Sequence, residues 1–412
     1  MDEKGGNVFG NAVFCLLIVG CVLFALYSFL FGGYLGSTKS SYGFNINLED
    51  IETVKYDLPE NRNMYLQLDE NEKEIYKQIR EVVASGGVTV TFSSIDYDVY
   101  IEALPQAYDA VYYDFPEFFW LNGGLECSAG KSKNGVGYDM ELELDCYDYW
   151  RYTADKDGYI DDAITEAQKI ASMANTFTDT YDKVKFVHDY LVVNAEYDDV
   201  CAEEINKTVQ RASSQQSHTI YGCLVNKVCV CDGYAKTFQL IMIMLGIECE
   251  YVEGDAGGGH AWNYVVIEGE EYWMDVTWDE NSLEDDTGEL LAPYGVNYGY
   301  FCVKDGDLYA THTPEPTFKI PVCDSDEHNF FHYEKSYLET YDFVSVCTAA
   351  AEQSGSQIIH IKFASRAELE KAVEELINKK KFKAIPDIGK MNAQFYFSKE
   401  DSSSQILHFY LP

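Results

Sequence analysis

Residues 221–280 read YGCLVNKVCVCDGYAKTFQLIMIMLGIECEYVEGDAGGGHAWNYVVIEGEEYWMDVTWDE, and this stretch decides the fold. Within it, Cys231 opens a run with helical spacing that Gly246 is predicted to end. The spacing is carried by Phe238, Ile241, Met242 and Leu245. At a helix N-terminus, unpaired backbone N–H groups and the positive end of the dipole lower the pKa of a thiol. We therefore expect Cys231 to be a nucleophile, with the same N–H groups available to an oxyanion.

The second half of this stretch predicts an antiparallel sheet that carries an imidazole and a carboxylate. Residues 251–252 indicate one strand, and a glycine-rich loop then leads to His260 at the start of the next. A turn at residues 268–270 joins that strand to a third, residues 272–276, which contains Asp275. The hairpin brings His260 and Asp275 roughly opposite one another, within reach for the carboxylate to orient the ring. Cysteine, histidine and aspartate thus have the order of a catalytic triad.

Three blocks of this stretch resemble the transglutaminase-like superfamily of papain-like folds, in the form common in bacterial surface proteins. They are C-x-G-Y-A opening a helix, then G-H-A-W-N, then D-V-T-W-D, and the similarity extends over residues 181–280. The resemblance implies an α+β fold whose papain-like core packs a nucleophile helix on an antiparallel sheet. It also implies that Cys231 is the nucleophile, His260 the base and Asp275 the third member of the triad.

Further residues of these blocks are expected to support the site. They are Tyr221, Gly233, Tyr234, Trp262, Asn263, Trp278 and Asp279. Tyr221 could donate to the oxyanion, and packing is the alternative role for both tryptophans. Cys229 departs from the family pattern, in which the residue two places before the nucleophile is more often small. It could pair with Cys223 or simply pack in the core.

The sequence contains no recognisable metal motif, and the proposed chemistry needs neither a metal nor a cofactor. Residues 153–158 resemble the start of a calcium loop, but Thr153 occupies the first ligand position and Ile164 occupies the position that needs a bidentate glutamate. There is no C-x-x-C, and the one-residue gap in residues 229–231 is unusual for metal binding. Disulfides such as Cys127 with Cys146, or a fully reduced set of cysteines, are both compatible with the sequence.

The charge of the chain limits its partners. Its 412 residues include 69 acidic and 30 basic side chains, a formal net charge of -39, so nucleic-acid phosphates would be repelled. Hydrophobic residues make up 47% of the sequence, enough for a sizeable core in two or three domains. We therefore exclude nucleic acid as a partner and expect most of the chain to fold.

The N-terminal segment predicts a membrane anchor. Ala12 to Phe31 are 20 residues without a charge, and as a helix they would span roughly 30 Å, the thickness of a bilayer's hydrocarbon core. A cleaved signal peptide or a lipoprotein signal ending at Cys21 are the alternatives, but the apolar run is long for the first and continues past the cysteine for the second. We expect a single-pass protein of the cell membrane with its remaining part outside the cytoplasm.

The pattern divides the chain into four parts. They are an anchor or signal segment over residues 1–40, an α+β domain over 41–152, the catalytic domain over 153–335 and a small βαββ module over 336–412. In the α+β domain, Asp69 and Glu72 have capping-box spacing ahead of a helical stripe that Gly86 ends. In the C-terminal module, residues 358–363 and 406–410 indicate strands.

Two functions from different classes agree with these observations. In the first, an anchored thiol enzyme acts on peptide or carboxamide bonds and releases the acyl group to water, as a cysteine peptidase or amidase, or to an amine, as a protein crosslinker. The resemblance to bacterial members favours hydrolysis, with protein or peptide substrates that include cell-wall peptides. In the second, a membrane-tethered binding or scaffolding protein keeps the fold without the reaction.

Overall fold

The computed structural model describes residues 38–39, 45–46, 51–153, 156–204, 212–284, 290–356, 358–386, 388–389, 393–397 and 405–411. The chain divides into two compact units, Met1–Glu52 and Thr53–Pro412. In the first unit, Thr38–Lys39 pairs antiparallel with Asn45–Ile46. The predicted anchor, Ala12 to Phe31, lies outside the described residues. Among those described, we find no helix whose length and apolar character would suit a membrane crossing.

Helices and a three-stranded sheet begin the second unit. The helices are Asn63–Leu66, Glu70–Ala84 and Tyr97–Asp114, and the strands are Thr89–Ile95, Leu121–Lys131 and Tyr138–Cys146. The last strand lies in the middle of the sheet, antiparallel to both neighbours. The predicted capping box is confirmed, because Asp69 accepts from the N–H of Glu72 and the Glu72 carboxylate accepts from the N–H of Asp69. This α+β arrangement agrees with the sequence prediction.

The next part of the described chain contains six helices, the last of which begins at Cys231. They are Asp148–Tyr152, Lys156–Ala174, Thr180–Asn194, Asp199–Glu204, Ala212–Ser217 and Cys231–Met244, with a π-helical turn at Gly222–Asn226 and a parallel strand pair of Glu196–Tyr197 with Val228–Cys229. Nearly all of Cys231–Met244 is buried. It packs between other helices and a sheet, and its apolar residues therefore contribute to the core on several sides.

A four-stranded antiparallel sheet, the central sheet, packs on the Cys231 helix. Its strands, in spatial order, are Glu270–Met274, Gly259–Ile267, Cys249–Asp255 and Thr313–Pro314. The hairpin register pairs Met274 with Asn263. Continuing that register sets Asp275 beside Trp262, so the predicted pairing with His260 is displaced by two residues. The side chains of His260 and Asp275 therefore meet diagonally across the two strands instead of directly opposite one another.

The edge strand Thr313–Pro314 approaches the sheet where Gly254 leaves room for it. Thr313 pairs with Asp255 and Pro314 with Gly254. A Cβ on Gly254 would lie 2.2 Å from the Thr313 carbonyl oxygen and 2.7 Å from the Trp262 ring. Only glycine therefore permits this close backbone approach.

We expect Gly254→Ala to lower the free energy of unfolding by about 1–3 kcal/mol, because the added methyl group must displace the edge strand or the indole. Urea unfolding measures this change. Gly258→Ala is the matched control, since a Cβ there meets nothing within 4 Å. Equal stability of the two variants would contradict the close packing of this edge.

The rest of the unit consists of short elements and a second four-stranded sheet. The strands of this sheet are Tyr337–Leu338, Ile358–Phe363, Gln394–Tyr396 and Ile406–Tyr410, and the strands Glu280–Glu284 and Leu290–Val296 form a separate pair. The helices are Asp305–Leu308, Phe330–Tyr333, Phe343–Glu352 and Arg366–Ala372. The shorter turns are the π-helical turn Val373–Asn378 and the 3-10 turns Pro116–Phe118, Tyr298–Tyr300 and Lys381–Ala384. The strand predictions for residues 358–363 and 406–410 are confirmed. The first strand of this sheet, Tyr337–Leu338, pairs parallel with Ile358–Phe363 and was not predicted.

The described cysteines are all free thiols. Cys127 is exposed and lies opposite Leu142, whereas Cys146 is buried and lies opposite Leu121, so the two are well separated along the sheet. The reduced set is therefore the alternative that the structure contains.

The division into domains at 41–152, 153–335 and 336–412 stays a prediction.

Candidate active site

Cys231 is the first residue of its helix. Val230 before it has an extended backbone, and the first helical hydrogen bond runs from the N–H of Tyr234 to the carbonyl of Val230, at 3.1 Å. The N–H groups of residues 231–233 precede that bond and have no acceptor within the helix. The half-buried Cys231 packs against a small cluster that contains Tyr251 and Ala261. This is the helix-terminal thiol that the sequence predicts.

Two neighbours of Cys231 hold the first turn of the helix in place. A Cβ on Gly233 would lie 2.6 Å from the Cys229 side chain and 2.7 Å from the Ser217 carbonyl oxygen, so the turn packs directly on the preceding chain. The fully buried Tyr234 donates its hydroxyl to the Ala195 carbonyl at 2.9 Å. Gly233 and Tyr234 thus act on the site through backbone position.

The pKa of the Cys231 thiol differs from the expectation for a helix N-terminus. Burial raises the pKa well above its usual range, and the carboxylate of Asp232 raises it further, while hydrogen bonds with the backbone of Ala261 and Asp232 oppose the change. A helix terminus supplies only about half an elementary charge, which is less than desolvation and a neighbouring carboxylate demand. The raised pKa favours the protonated thiol over the thiolate at neutral pH.

His260 and Asp275, the predicted base and its orienting carboxylate, form a hydrogen-bonded pair. Nε2 of His260 lies 2.7 Å from Oδ2 of Asp275. The other oxygen, Oδ1, accepts from the N–H groups of Thr277 and Trp278 at 2.9 and 3.1 Å. Burial opposes ionisation of Asp275, but the charge and hydrogen bond of His260 and a bond from a second histidine outweigh it and hold the pKa well below its usual range. Asp275 is thus a carboxylate at neutral pH.

Nδ1 of His260 is the ring nitrogen that remains for chemistry. Among the described residues it has no hydrogen-bond partner. Because Asp275 accepts at Nε2, a neutral ring carries its proton there and Nδ1 is a proton acceptor. Ala261, the next residue along the strand, hydrogen bonds with the Cys231 sulfur through its backbone, so thiol and imidazole belong to neighbouring positions.

A second histidine, His312, contacts the same carboxylate and was missed in the sequence analysis. Its Nε2 lies 3.1 Å from Oδ2 of Asp275, and its side chain is completely buried. His312 directly precedes the edge strand Thr313–Pro314, whose pairing with the central sheet brings it to the triad. No periodicity or motif marks this histidine, because its position depends on a contact between residues far apart in sequence.

His260, Asp275 and His312 form the one group in the described part of the chain that has metal-ligand chemistry. Their ligand atoms lie within 4.8 Å of one another. The separations from Asp275, 2.7 and 3.1 Å, are those of hydrogen bonds that use the ring N–H protons a metal would displace. The contacts are thus fully accounted for by hydrogen bonding.

Aromatic and amide side chains of the same blocks surround the triad. The ring of Trp262 is buried and lies 5.9 Å from that of His260, and half-buried Trp278 lies 5.8 Å from it. The buried Asn263 donates to the carbonyls of Ala235 and Glu250 at 3.0 and 3.2 Å. Asn263 therefore ties the Cys231 helix to the sheet, and the tryptophans restrict the imidazole.

Tyr221 is not brought to the triad. Its ring packs against Tyr159 at 4.6 Å and Phe119 at 6.4 Å between centroids, and none of its described contacts involves Cys231 or His260. The suggested role as an oxyanion donor has no geometric support.

Asp279 supports the loop that follows Asp275. It accepts from Nε2 of His188 at 3.2 Å and from the N–H of Tyr300 at 2.9 Å, and Nδ1 of His188 lies 3.0 Å from Asp189. His188 is fully buried between the carboxylates of Asp189 and Asp279. This network fastens the Asp275 loop to the helix Thr180–Asn194.

A second charged group lies beside the nucleophile. Nδ1 of His218 is 2.8 Å from Oδ2 of Asp232, and Nε2 of His218 is 3.4 Å from the Cys201 sulfur. Burial opposes protonation of His218, but the hydrogen bonds with Asp232 and Cys201 raise its pKa to about 9. Burial likewise opposes ionisation of Asp232, yet the bond with His218 and the charge of Lys236 lower its pKa to about 2. The pair is ionised at neutral pH.

We expect His218→Gln to lower the free energy of unfolding by about 2 kcal/mol at pH 6, with most of that difference gone at pH 10. The folded pKa of about 9 exceeds the ordinary histidine value, so the stabilisation is complete below that ordinary value and is lost as pH rises through about 9. Urea unfolding at both pH values tests this. The exposed His332→Gln is the control, and a pH-independent loss in His218→Gln would contradict the ion pair.

Comparisons with known proteins agree with this geometry. Residues 167–277, which contain Cys231, His260 and Asp275, match the family model of the Transglutaminase-like superfamily. Kyphoscoliosis peptidase of Homo sapiens is 24% identical over 147 residues, 32% of this chain and 21% of that protein. Kyphoscoliosis peptidase of Mus musculus is 29% identical over 98 residues, 21% of this chain and 14% of that protein. The chain thus spans about a fifth or less of these curated relatives.

A crystal structure of a TGase is 18% identical to this chain, with 37% of this chain and 45% of that one covered at a TM-score of 0.28. Over residues 167–277, this chain is thus similar to the transglutaminase-like superfamily.

Proposed function

We propose that this chain is a thiol acyl-transfer enzyme that acts on peptide or carboxamide bonds, with Cys231, His260 and Asp275 as its catalytic triad. The observation that carries the proposal is the bond of 2.7 Å between Nε2 of His260 and buried Asp275, which leaves Nδ1 free to take a proton. The thiol at the helix N-terminus, bonded to the backbone of Ala261 next to that imidazole, supplies the nucleophile.

In the first half of the reaction, Nδ1 of His260 takes the proton of the Cys231 thiol as the sulfur attacks the substrate carbonyl carbon. The carbonyl becomes an oxyanion, which the N–H groups at the helix start that lack an acceptor within the helix can stabilise. The C–N bond then breaks, His260 returns the proton to the leaving amine, and a thioester remains. Asp275 keeps the ring oriented and stabilises its positive charge in the transition state.

In the second half, His260 activates an incoming nucleophile that attacks the thioester. Water gives a carboxylic acid, as in a peptidase or amidase, while an amine gives a new amide, as in a crosslinking enzyme. In both cases the C–S bond breaks and the proton taken by His260 returns to the sulfur. The curated relatives carry the name peptidase, which favours hydrolysis of protein or peptide substrates. The resemblance to bacterial surface proteins extends the proposed substrates to cell-wall peptides.

We further propose that the catalytic part acts outside the cytoplasm, tethered to the cell membrane by residues 12–31. The support is the uncharged run of 20 residues, which matches the thickness of a bilayer core. Fractionation of cells and protease access to the intact cell surface test this part. Release of the whole chain in a salt wash would contradict the anchor.

The test of the reaction is mass spectrometry of a blocked glutaminyl-glycine peptide incubated with the full chain, with and without added amine. Hydrolysis adds a carboxylic acid product in both samples, whereas transfer adds an amide only where the amine is present. Because the resting thiol is protonated, labelling of Cys231 by iodoacetamide at pH 7 should slow markedly in His260→Ala. If the labelling rate of Cys231 is the same in wild type and in His260→Ala while that of the exposed Cys127 is also unchanged, His260 does not act on the thiol, and a binding protein of the same fold is the better description.

A further inference from the structure

We infer that His312 is a positioning residue that fixes the triad carboxylate, an inference that rests on the proposed function of Cys231, His260 and Asp275. Its Nε2 lies 3.1 Å from Oδ2 of Asp275, the same oxygen that accepts from His260. Two imidazoles thus share one carboxylate oxygen. Only His260 is in position to meet the substrate, because the side chain of His312 is fully buried.

Four donors hold Asp275. The backbone N–H groups of Thr277 and Trp278 bind Oδ1, and His260 and His312 bind Oδ2. The two backbone N–H groups alone would fix only Oδ1, so Oδ2 could still change its position. The bond from His312 fixes the second oxygen independently of His260, so the carboxylate keeps its place when the His260 ring moves between the thiol and the leaving amine.

The proton of His312 is held on the nitrogen that faces Asp275. Because Asp275 is ionised and accepts only, Nε2 must carry the proton and Nδ1 of a neutral ring must accept. The hydroxyl of Thr311 lies 2.8 Å from Nδ1 and 3.3 Å from the Leu308 carbonyl oxygen, and either acceptor can take its single proton. The ionised Asp275 is therefore the group that selects the tautomer in which His312 donates to the triad.

The side chain of His312 lies among aromatic rings, a setting that favours an apolar side chain. A polar imidazole at this position therefore indicates that its hydrogen bonds are needed. Its ring lies 5.0 Å from Trp262, 4.5 Å from Trp278 and 5.2 Å from Tyr300 between centroids. A buried imidazole pays a desolvation cost that a phenyl ring does not. The feature that a phenyl ring would lack here is the N–H bond to Asp275.

Two substitutions separate the hydrogen bond of His312 from its packing. His312→Phe keeps an aromatic ring without a donor. His312→Gln loses the ring but keeps an N–H donor three bonds from Cβ, as in Nε2 of histidine. With the full chain, the blocked glutaminyl-glycine peptide and EDTA in every assay, we expect kcat to fall about 10- to 100-fold in His312→Phe with KM within about twofold. We expect His312→Gln to stay within about threefold of wild type.

A spectroscopic measurement judges the inference without turnover. In the full chain with Cys231→Ala and 15N-labelled histidine, we expect the Nε2–H signals of both His260 and His312. The His260 signal should broaden in His312→Phe and persist in His312→Gln. If wild type turns over no peptide but the NMR signals behave in this way, the proposed function fails and the positioning role stands.

The inference about His312 is overturned if His312 carries its proton on Nδ1. It is also overturned if His312→Phe retains the wild-type kcat, or if His312→Phe and His312→Gln lose activity equally in step with their melting temperatures. The last outcome would make His312 a packing residue only.

Discussion

Replacing Cys231 by serine should lower kcat/KM for a blocked glutaminyl peptide by at least about 10⁴-fold, because removal of a nucleophile that works as a unit with its base leaves only binding and oxyanion stabilisation. A hydroxyl is far less acidic than a thiol, and the thiol itself already has a raised pKa through burial and the charge of Asp232. The hydroxyl proton is therefore harder to remove during attack than the thiol proton, and the site is arranged around sulfur rather than oxygen. Release of product, followed by mass spectrometry, measures the loss.

Cys127→Ser is the matched control for this substitution, since Cys127 is exposed and lies on a strand of the N-terminal part of the unit. It should leave kcat/KM unchanged. The thioester intermediate should add the acyl mass to the peptide that contains Cys231 in wild type and to no peptide in Cys231→Ser. Retention of more than about a tenth of the activity in Cys231→Ser would assign the reaction to another group.

The sequence predicts the elements that depend on local chemistry. The capping box at Asp69, the helix that begins at Cys231 and the strands of the hairpin after His260 all follow from residue types within a few positions of each other. A short stretch of sequence is enough to predict such an element, because its capping side chain and its apolar stripe lie within the same element. The candidate triad belongs to this class, since its three members fall within residues 231–275.

The sequence does not predict contacts between residues that lie far apart along the chain and meet only in the folded protein. His312 reaches Asp275 through an edge strand of two residues, too short to give a periodic signal, and His218 reaches Asp232 from the preceding chain. The thiol pKa belongs to the same class. The pKa of the Cys231 thiol is raised by burial and by the charge of Asp232, whereas the helix dipole alone predicts that it is lowered. What the sequence leaves out is therefore mainly the electrostatic setting of the triad.

These missed contacts change how the reaction is understood. A preformed thiolate would need little help from His260, whereas a thiol with a raised pKa makes proton removal part of the attack. The orientation of the imidazole then matters throughout the reaction. This places unusual weight on Asp275, which keeps the His260 proton on Nε2 and leaves Nδ1 as the acceptor.

Asp275→Asn should lower kcat about 10³- to 10⁴-fold, because the neutral amide neither stabilises an imidazolium nor specifies the ring tautomer. The geometry also forbids a good fit for the amide. One oxygen of Asp275 accepts two ring N–H groups and the other accepts the backbone N–H groups of Thr277 and Trp278. In either orientation, the NH₂ group of asparagine would face two donors. We therefore also expect a loss of about 1–3 kcal/mol in the free energy of unfolding.

Steady-state kinetics and urea unfolding of Asp275→Asn separate these two effects, with the exposed Asp324→Asn as a control that should change neither. The loss of kcat should persist at temperatures well below the melting transition, where the folded fraction of both proteins is complete. A tautomer change should appear as a His260 proton that moves from Nε2 to Nδ1 in 15N NMR spectra. If Asp275→Asn retains kcat within about tenfold of wild type, Asp275 does not orient the base, and the two histidines on its Oδ2 would then be a structural network.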